Sequence, residues 1–190
     1  MKKKIAFVHN AMWEMYNFRG ELLQELKAKG YEITVICPPD EKNAHYFTDL
    51  GIKLLTVPMS RKGTNIKEDL QLVKNLFKVY KKEKFDLVFH YTIKPNIYGT
   101  LAAKLAGIKS IAITTGLGYV FLHNNITSLI AKFMYKFSLA FANEVWFLND
   151  DDMNIFLDKD LITERQAFKL PSEGINTKRF VPKEKNRKDS

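Results

Sequence analysis

The chain has 190 residues, of which 46% are hydrophobic and 27% are charged, and this balance excludes a disordered chain and predicts a globular domain with a substantial core. Its single cysteine, Cys37, excludes a disulfide framework and a cysteine-ligated zinc site. No uncharged apolar run reaches the ~18 residues of a membrane span, and the apolar run behind the basic N-terminus is too short for a signal peptide. We therefore expect a cytoplasmic domain.

The net charge of +9 comes from 30 basic and 21 acidic residues, and segment 178–190 alone supplies +4 of it. A mildly basic body suits phosphate-bearing ligands or an anionic membrane surface. The alternative is a solvated, lysine-rich surface without a partner. We expect no nucleic-acid partner, because no basic helix interleaved with aromatic residues is present.

Apolar β-branched runs and helically spaced apolar residues alternate along the whole chain. In chain order the pattern predicts strand 4–9, helix 18–30, strand 31–37, helix 43–50, strand 52–57, helix 66–83, strand 86–91, helix 96–106, strand 110–114, helix 127–142, strand 144–148, helix 150–157 and a seventh strand at 167–170. This alternation predicts an α/β fold, a Rossmann-like, doubly wound parallel sheet of six to seven strands. Ligands of such sheets bind at the carboxyl ends of the strands, so loops 9–19, 37–43, 91–96 and 114–120 matter most.

Common nucleotide-binding signatures are absent from these loops. The first strand is followed by His9 and Asn10, not by a G-x-G-x-x-G sequence, and no G-x-x-x-x-G-K-[ST] occurs. The sequence therefore disfavours a dinucleotide fold and a P-loop.

The loop after the fifth predicted strand reads Thr114-Thr115-Gly116-Leu117-Gly118-Tyr119. Its backbone N–H groups suit an anion or a sugar hydroxyl. The alternative is a tight turn in which one or both glycines need a positive φ.

The loop after the fourth predicted strand places Thr92, Lys94 and Asn96 where a buried strand ends. Their side chains can donate to hydroxyls or phosphate. The alternative is that Thr92 or Lys94 precedes or caps the next helix. Arg19 is predicted at the start of the first helix, where a cation opposes the helix dipole unless it has a partner. That partner is either a phosphate or carboxylate of a bound ligand or an internal carboxylate in a salt bridge.

The predicted helix at 127–142 is rich in aromatic residues and carries Lys132 and Lys136 four positions apart. Such a helix can lie on anionic lipid, which would place the protein at the inner face of the plasma membrane. The alternative is that its apolar residues belong to the core.

Seven blocks of the chain form a pattern in their order and spacing: 4–8, 18–20, 31–35, 85–88, 94–99 (Lys94-Pro95-Asn96-Ile97-Tyr98-Gly99), 114–118 and 171–180. This pattern resembles the N-terminal domain of family-4 glycosyltransferases, the retaining GT-B enzymes. The subgroup with Thr-Gly-Leu-Gly and Lys-Pro-Asn resembles bacterial enzymes that extend polyprenyl-diphosphate-linked glycans for capsule, O-antigen or glycoprotein.

The resemblance implies one half of a GT-B fold, with an acceptor-binding domain at 1–170 and an interdomain linker or basic tail at 171–190. The nucleotide-sugar domain, to which the family's paired glutamates belong, is absent from this sequence. The resemblance also implies a nucleotide-sugar donor, UDP-linked, and a glycan or lipid-linked acceptor, with no metal and no cofactor. The half present here is therefore expected to be inactive alone.

Site residues follow from the same resemblance. Acceptor binding is expected at Asn10, Thr92, Lys94, Asn96, Thr115, Gly116 and Gly118, and phosphate binding at Arg19. Many family members carry a histidine where this chain has Thr115, so no catalytic residue is assigned. Two alternatives remain: a non-catalytic docking subunit of a split glycosyltransferase, and part of a GT-B-like sugar-nucleotide epimerase.

Overall fold

The computed structural model describes residues 2–60, 65–116, 126–171 and 174. Its strands are β1 (Lys4–Val8), β2 (Glu32–Cys37), β3 (Lys53–Thr56), β4 (Leu87–Tyr91), β5 (Lys109–Thr114), β6 (Glu144–Phe147) and β7 (Ala167–Lys169). Its α-helices are α1 (Met12–Ala28), α2 (Glu41–Asp49), α3 (Ile66–Glu83), α4 (Thr100–Ala106), α5 (Ile126–Leu139) and α6 (Asp150–Asp158). A π-helical turn, Pro95–Gly99, precedes α4, and a 3₁₀ turn, Glu164–Gln166, precedes β7.

The strands form one sheet in the order β3-β2-β1-β4-β5-β6-β7, and every neighbouring pair is parallel. The chain moves outward from β1 to β3, returns to the other side of β1 with β4, and then continues to β7. This confirms the predicted doubly wound α/β sheet. The strand order reverses between β1 and β4, which is where an open α/β sheet forms its ligand crevice.

Two apolar clusters cover the two faces of the sheet. Helices α3 to α6 pack on one face, where Leu76 and Tyr80 of α3 meet Val88 of β4. Helices α1 and α2 pack on the other face, where Met15 of α1 and Phe47 of α2 are fully buried. Burial on both faces explains why the inner strands read as continuous apolar runs rather than as alternating ones.

Three of the helices begin at a residue whose side chain caps the first turn. Asp40, Asn65 and Asn149 accept hydrogen bonds from the first backbone N–H groups of α2, α3 and α6. Each cap satisfies donors that have no partner within their own helix. The local sequence therefore determines where these helices begin.

The first helix begins earlier than the sequence predicts. Helix α1 starts at Met12 rather than at residue 18, so the predicted loop 9–19 is only a short turn after β1. Ala11 precedes α1 without a side-chain cap, but Met12 and Met15 are almost completely buried. Tertiary burial, which local sequence does not reveal, sets this boundary.

The predicted helix 96–106 also differs in detail, because its first part is the π-helical turn Pro95–Gly99. Gly99 of this turn lies against the ring of His90, a fully buried residue of β4 whose Nε2 is 2.9 Å from the Tyr80 hydroxyl. Burial lowers the pKa of His90 to about 3, so this histidine is a neutral core residue.

We predict that Gly99→Ala destabilises the fold. A Cβ at residue 99 would lie 2.5 Å from His90 Cδ2 and 2.6 Å from Nε2, and the rigid imidazole has no space to move in the core. Overpacking of this kind costs ~1–3 kcal/mol, which chemical denaturation measures as a lower free energy of unfolding.

Gly20→Ala is the matched control, because a Cβ there comes no closer than 3.4 Å to the Tyr16 ring. Gly20 lies inside α1, so alanine should leave stability unchanged or raise it through its better helix propensity. Equal losses in the two variants would contradict the contact with His90.

Candidate functional site

The carboxyl ends of β1, β4 and β5 bring together the turn at 9–11, the segment 92–96 and the segment 114–116. The ends meet because β1 pairs with β4 from Ile5 to Val8 and β4 pairs with β5 from Leu87 to Tyr91. Most sequence-predicted site residues therefore lie along one edge of the sheet, as a doubly wound topology requires.

One pocket of about 280 Å³ opens between the ends of β4 and β5 and helix α5. We call it the threonine pocket, and its lining is Thr92, Ile93, Asn96, Thr114, Thr115, Gly116 and Tyr135. It contains four of the predicted acceptor-binding residues, Thr92, Asn96, Thr115 and Gly116. Thr114 and Tyr135 were not predicted, although Thr114 opens the glycine loop that the sequence singled out.

Asn96 has a fixed orientation in the threonine pocket. Its side-chain Nδ2 donates to the carbonyl of Ile113 in β5 at 3.0 Å, and the residue is only 1% exposed. Burial raises the pKa of the Tyr135 phenol, and a hydrogen bond from the Asn96 side chain offsets part of this increase. Asn96 Oδ1, Thr92 Oγ1 and Thr114 Oγ1 are buried and have no hydrogen-bond partner among the described residues.

The backbone of the threonine pocket is unusual at two positions. Thr92 has φ = 70°, a left-handed conformation that is rare for a β-branched residue, and its carbonyl accepts the N–H of Asn96 at 2.9 Å. Strain of this type costs ~1–3 kcal/mol and concentrates at functional sites. Gly116 has φ = 136°, as the tight-turn interpretation of the glycine loop requires, and it lies next to exposed Thr115.

Lys94 lies in a different pocket from Thr92 and Asn96. This lysine pocket, of about 420 Å³, includes Ser60, Asp69 and Lys94 in its lining and opens between α3 and the segment after β3. Lys94 Nζ donates to Asp69 Oδ1 at 2.7 Å and to Ser60 Oγ at 2.8 Å. The structure therefore does not group Thr92, Lys94 and Asn96 into one site, since residues along a helical turn point in different directions.

The Lys94–Asp69 pair is part of a buried network. The Tyr98 hydroxyl donates to Asp69 Oδ2 at 2.7 Å, and burial together with this carboxylate raises the pKa of Tyr98. Asp69 accepts from both partners and so ties helix α3 to the π-helical turn. The arrangement explains Lys94 as a structural residue, and its predicted contact with an acceptor stays a prediction.

Arg19 is not at the start of a helix, so the expectation based on the helix dipole is wrong. It lies inside α1, is 4% exposed, and its guanidinium lies 4.0 Å from the centre of the Tyr91 ring at the end of β4. A cation over an aromatic face is a favourable contact in the interior. The predicted role of Arg19 in phosphate binding stays a prediction.

A histidine that sequence reasoning passed over lies beside Asn10. His9 Nδ1 accepts the N–H of Ala11 at 2.9 Å, and Nε2 faces Glu14 Oε2 at 3.7 Å. Because Nδ1 is an acceptor, the neutral ring carries its proton on Nε2, and the ring is thereby oriented at the crevice between β1 and β4. The sequence feature that could have identified His9 is its position directly after an apolar strand. Asn10 is half-buried in this turn, whereas Gly118 lies outside the described residues.

The family model described as "Glycosyl transferase 4-like" matches residues 4–149. The chain belongs to the glycosyl transferase 4-like family. This match confirms the family resemblance, and it extends from the start of β1 beyond the end of β6. The candidate site on β1, β4 and β5 is thus a site of the family's own fold.

Two curated bacterial relatives share the family's sequence. The chain is 31% identical over 187 residues to the N,N'-diacetylbacillosaminyl-diphospho-undecaprenol α-1,3-N-acetylgalactosaminyltransferase of Campylobacter jejuni, a match that covers 94% of this chain and 48% of that protein. It is 24% identical over 153 residues to the UDP-Gal:α-D-GlcNAc-diphosphoundecaprenol α-1,3-galactosyltransferase of Escherichia coli, covering 80% of this chain and 39% of that one. The chain therefore spans half the length, or less, of the curated relatives it matches.

Solved structures confirm the expected Rossmann-like half of a GT-B fold. Acinetobacter baumannii MurG is 14% identical with a TM-score of 0.62, and the match covers 97% of this chain and 47% of that chain. Neisseria meningitidis UDP-GlcNAc 2-epimerase, bound to UDP-GlcNAc, is 15% identical with a TM-score of 0.64, covering 86% and 45%. Both matches have similar TM-scores and identities of 15% or less, so these structures show the fold and not the reaction.

We predict that Lys94→Met lowers the free energy of unfolding by ~3–5 kcal/mol, because it leaves the Asp69 carboxylate buried without its cation. The control is Lys169→Met, since Lys169 is also 2.7 Å from an aspartate, Asp150, but both side chains of that pair are exposed. An exposed pair contributes less than ~1 kcal/mol. Similar losses in the two variants, measured by denaturation, would show that the Lys94 pair is not structural.

Proposed function

We propose that this chain is the acceptor-binding half of a retaining glycosyltransferase. The complete enzyme would move a sugar from a UDP-linked donor to a polyprenyl-diphosphate-linked glycan. The observation that carries the proposal is the match of 94% of this chain to about half of the C. jejuni transferase, whose name specifies an undecaprenol-linked acceptor.

The linkages in the names of the two relatives support retention of configuration. Both are named as α-1,3-transferases, and the E. coli enzyme uses UDP-Gal. An α product formed from an α-linked UDP-sugar keeps the configuration of the anomeric carbon. We therefore propose the same stereochemistry for the complete protein of which this family domain is part.

In this proposal the described residues act by positioning. The threonine pocket would hold the acceptor at the crevice, and the His9 turn forms the neighbouring edge of that crevice. Lys94 would fix the segment from which Thr92 and Asn96 project. Holding a reactive hydroxyl in place converts a bimolecular step into an effectively unimolecular one.

The donor site would lie in a second domain. We propose that residues 1–170 form the acceptor domain and that 171–190 lead out of it, toward the nucleotide-sugar domain. Reaction would then occur between the two domains, at the carboxyl edge of this sheet, where the threonine pocket opens. The enzyme would act on the cytoplasmic side of the membrane that holds its acceptor.

Helix α5 supports a contact with that membrane. Its outer face carries Leu129, Ile130, Phe133 and Phe137, each at least half exposed, and Lys136 lies on the same face. The inner face carries Tyr135 and Leu139 and is buried, so core and exposed apolar surface share one helix. No helix among the described residues is long and apolar enough to span a bilayer. We propose that this face rests on anionic lipid.

The proposed reaction predicts that the full-length protein releases UDP from a UDP-sugar only when an undecaprenyl-diphosphate-linked saccharide is added. A panel of UDP-hexoses and UDP-N-acetylhexosamines, each with and without this acceptor, measures the dependence. The product should carry an α linkage by NMR. Interconversion of UDP-GlcNAc without acceptor would instead establish an epimerase, and a protein that never turns over a donor would point to a docking subunit.

The proposed membrane contact predicts that Leu129→Ser weakens binding to vesicles of phosphatidylglycerol and phosphatidylethanolamine by about tenfold, because a buried leucine contributes ~1.5–3 kcal/mol. Leu70→Ser on α3 is the matched control, since Leu70 is 65% exposed and Leu129 is 66% exposed. Sedimentation with vesicles measures both variants. Equal losses in the two variants would contradict a contact through the α5 face. Wild-type protein that binds neutral phosphatidylcholine vesicles as tightly as the anionic vesicles would contradict a specific anionic surface.

A further inference from the structure

Three side-chain oxygens in the lining of the threonine pocket are buried without a hydrogen-bond partner in the described parts of the chain: Thr92 Oγ1, Asn96 Oδ1 and Thr114 Oγ1. Asn96 and Thr114 are 1% and 3% exposed, so bulk water does not satisfy them. Buried polar groups without partners cost free energy, and three of them around one cavity point to a ligand that completes their hydrogen bonds.

The chemistry of these oxygens restricts the ligand. Asn96 Nδ2 donates one of its two N–H groups to the Ile113 carbonyl, which fixes the orientation of the amide, and Oδ1 is a carbonyl oxygen that can only accept a hydrogen bond. The threonine hydroxyls can donate or accept. The residues of the lining that the structure describes include no lysine, arginine, histidine, aspartate or glutamate, so an anionic ligand would meet an acceptor-only oxygen without a compensating cation from any of them.

We propose that the threonine pocket binds an uncharged sugar ring through its O–H or N–H groups, and that the phosphates of the acceptor do not enter it. The inference rests on the proposed function only in assigning this ring to the acceptor. Three oxygens spread over the ends of β4 and β5 suit a polyol, which presents several donors on one small ring. A phosphate would need cations, and none of the described lining residues is a cation.

The conformation of Thr92 agrees with this assignment. Glycine or asparagine adopts φ = 70° at little cost, whereas threonine does not. The strained backbone places a β-branched residue with a hydroxyl in the pocket lining. Backbone strain at a residue whose side-chain oxygen has no partner among the described residues supports a ligand-binding role.

The test uses isosteric variants of the full-length protein, Thr114→Val and Thr92→Val, which remove one hydroxyl each and keep the shape of the side chain. The probes are methyl α-N-acetylglucosaminide and methyl α-glucoside, with methyl α-glucuronide and inorganic pyrophosphate as charged counterparts. Binding is measured by saturation-transfer NMR, with ³¹P NMR for pyrophosphate. Loss of one hydrogen bond should weaken binding of a neutral glycoside roughly tenfold in each variant.

Ser138→Ala is the matched control. Ser138 Oγ is another fully buried hydroxyl without a partner within the described residues, but it lies outside the lining of the threonine pocket. Removing an unsatisfied hydroxyl should leave the melting temperature unchanged or raise it in all three variants. Only the two threonine variants should lose affinity for the sugar, which separates ligand binding from a structural role.

Two results would overturn the inference: wild-type protein that binds neither neutral glycoside in the millimolar range, or threonine variants that bind them as well as the wild type does. Preferential binding of the glucuronide or pyrophosphate, weakened by the same variants, would overturn the uncharged class. The proposed transferase activity is judged separately, by acceptor-dependent release of UDP. If the full-length protein transfers sugar but the two threonine variants bind the glycosides as well as the wild type does, only the assignment of the sugar to this pocket is refuted.

Discussion

The parallel pairing of β1 with both β2 and β4 is the constraint on which the candidate site depends. Because all neighbouring strands of the sheet are parallel, every loop that leaves a strand toward the next helix emerges at the same edge. The reversal of strand order at β1 and β4 sends the following helices to opposite faces of the sheet and leaves a crevice between them. The turn after β1 and the segment after β4 lie on the two sides of this crevice as a direct result of the strand order.

The segment after β4 combines a rigid anchor with an open pocket. Lys94 is held by Asp69 on the side of α3, whereas Asn96, two residues later, is held by the Ile113 carbonyl on the side of β5. These two contacts fix the π-helical turn from both sides. π-Helical turns are rare and occur frequently at functional sites, and this one forms a wall of the threonine pocket that protein contacts hold in place.

Helix α5 connects the pocket with the outer surface. Tyr135 lines the threonine pocket, while Phe133 on the opposite side of the helix is 70% exposed. An exposed apolar face of this extent is unusual for a helix that packs on a sheet, since such helices normally turn polar residues outward. In the two proposals made above, a lipid surface and a lipid-linked sugar would contact opposite sides of this one helix.

The sequence by itself determined the alternation of strands and helices, the doubly wound sheet, the family and the edge at which the site lies. These properties depend on local periodicity, on glycine and proline, and on short motifs such as Lys94-Pro95-Asn96, which are all visible along the chain. Only the tertiary structure decided the start of α1 at Met12, since that boundary comes from burial against the sheet. It also separated Lys94 from Asn96 and added Tyr135 from a distant helix. Which side chains share a pocket depends on contacts between residues far apart in sequence, and local patterns carry no information about them.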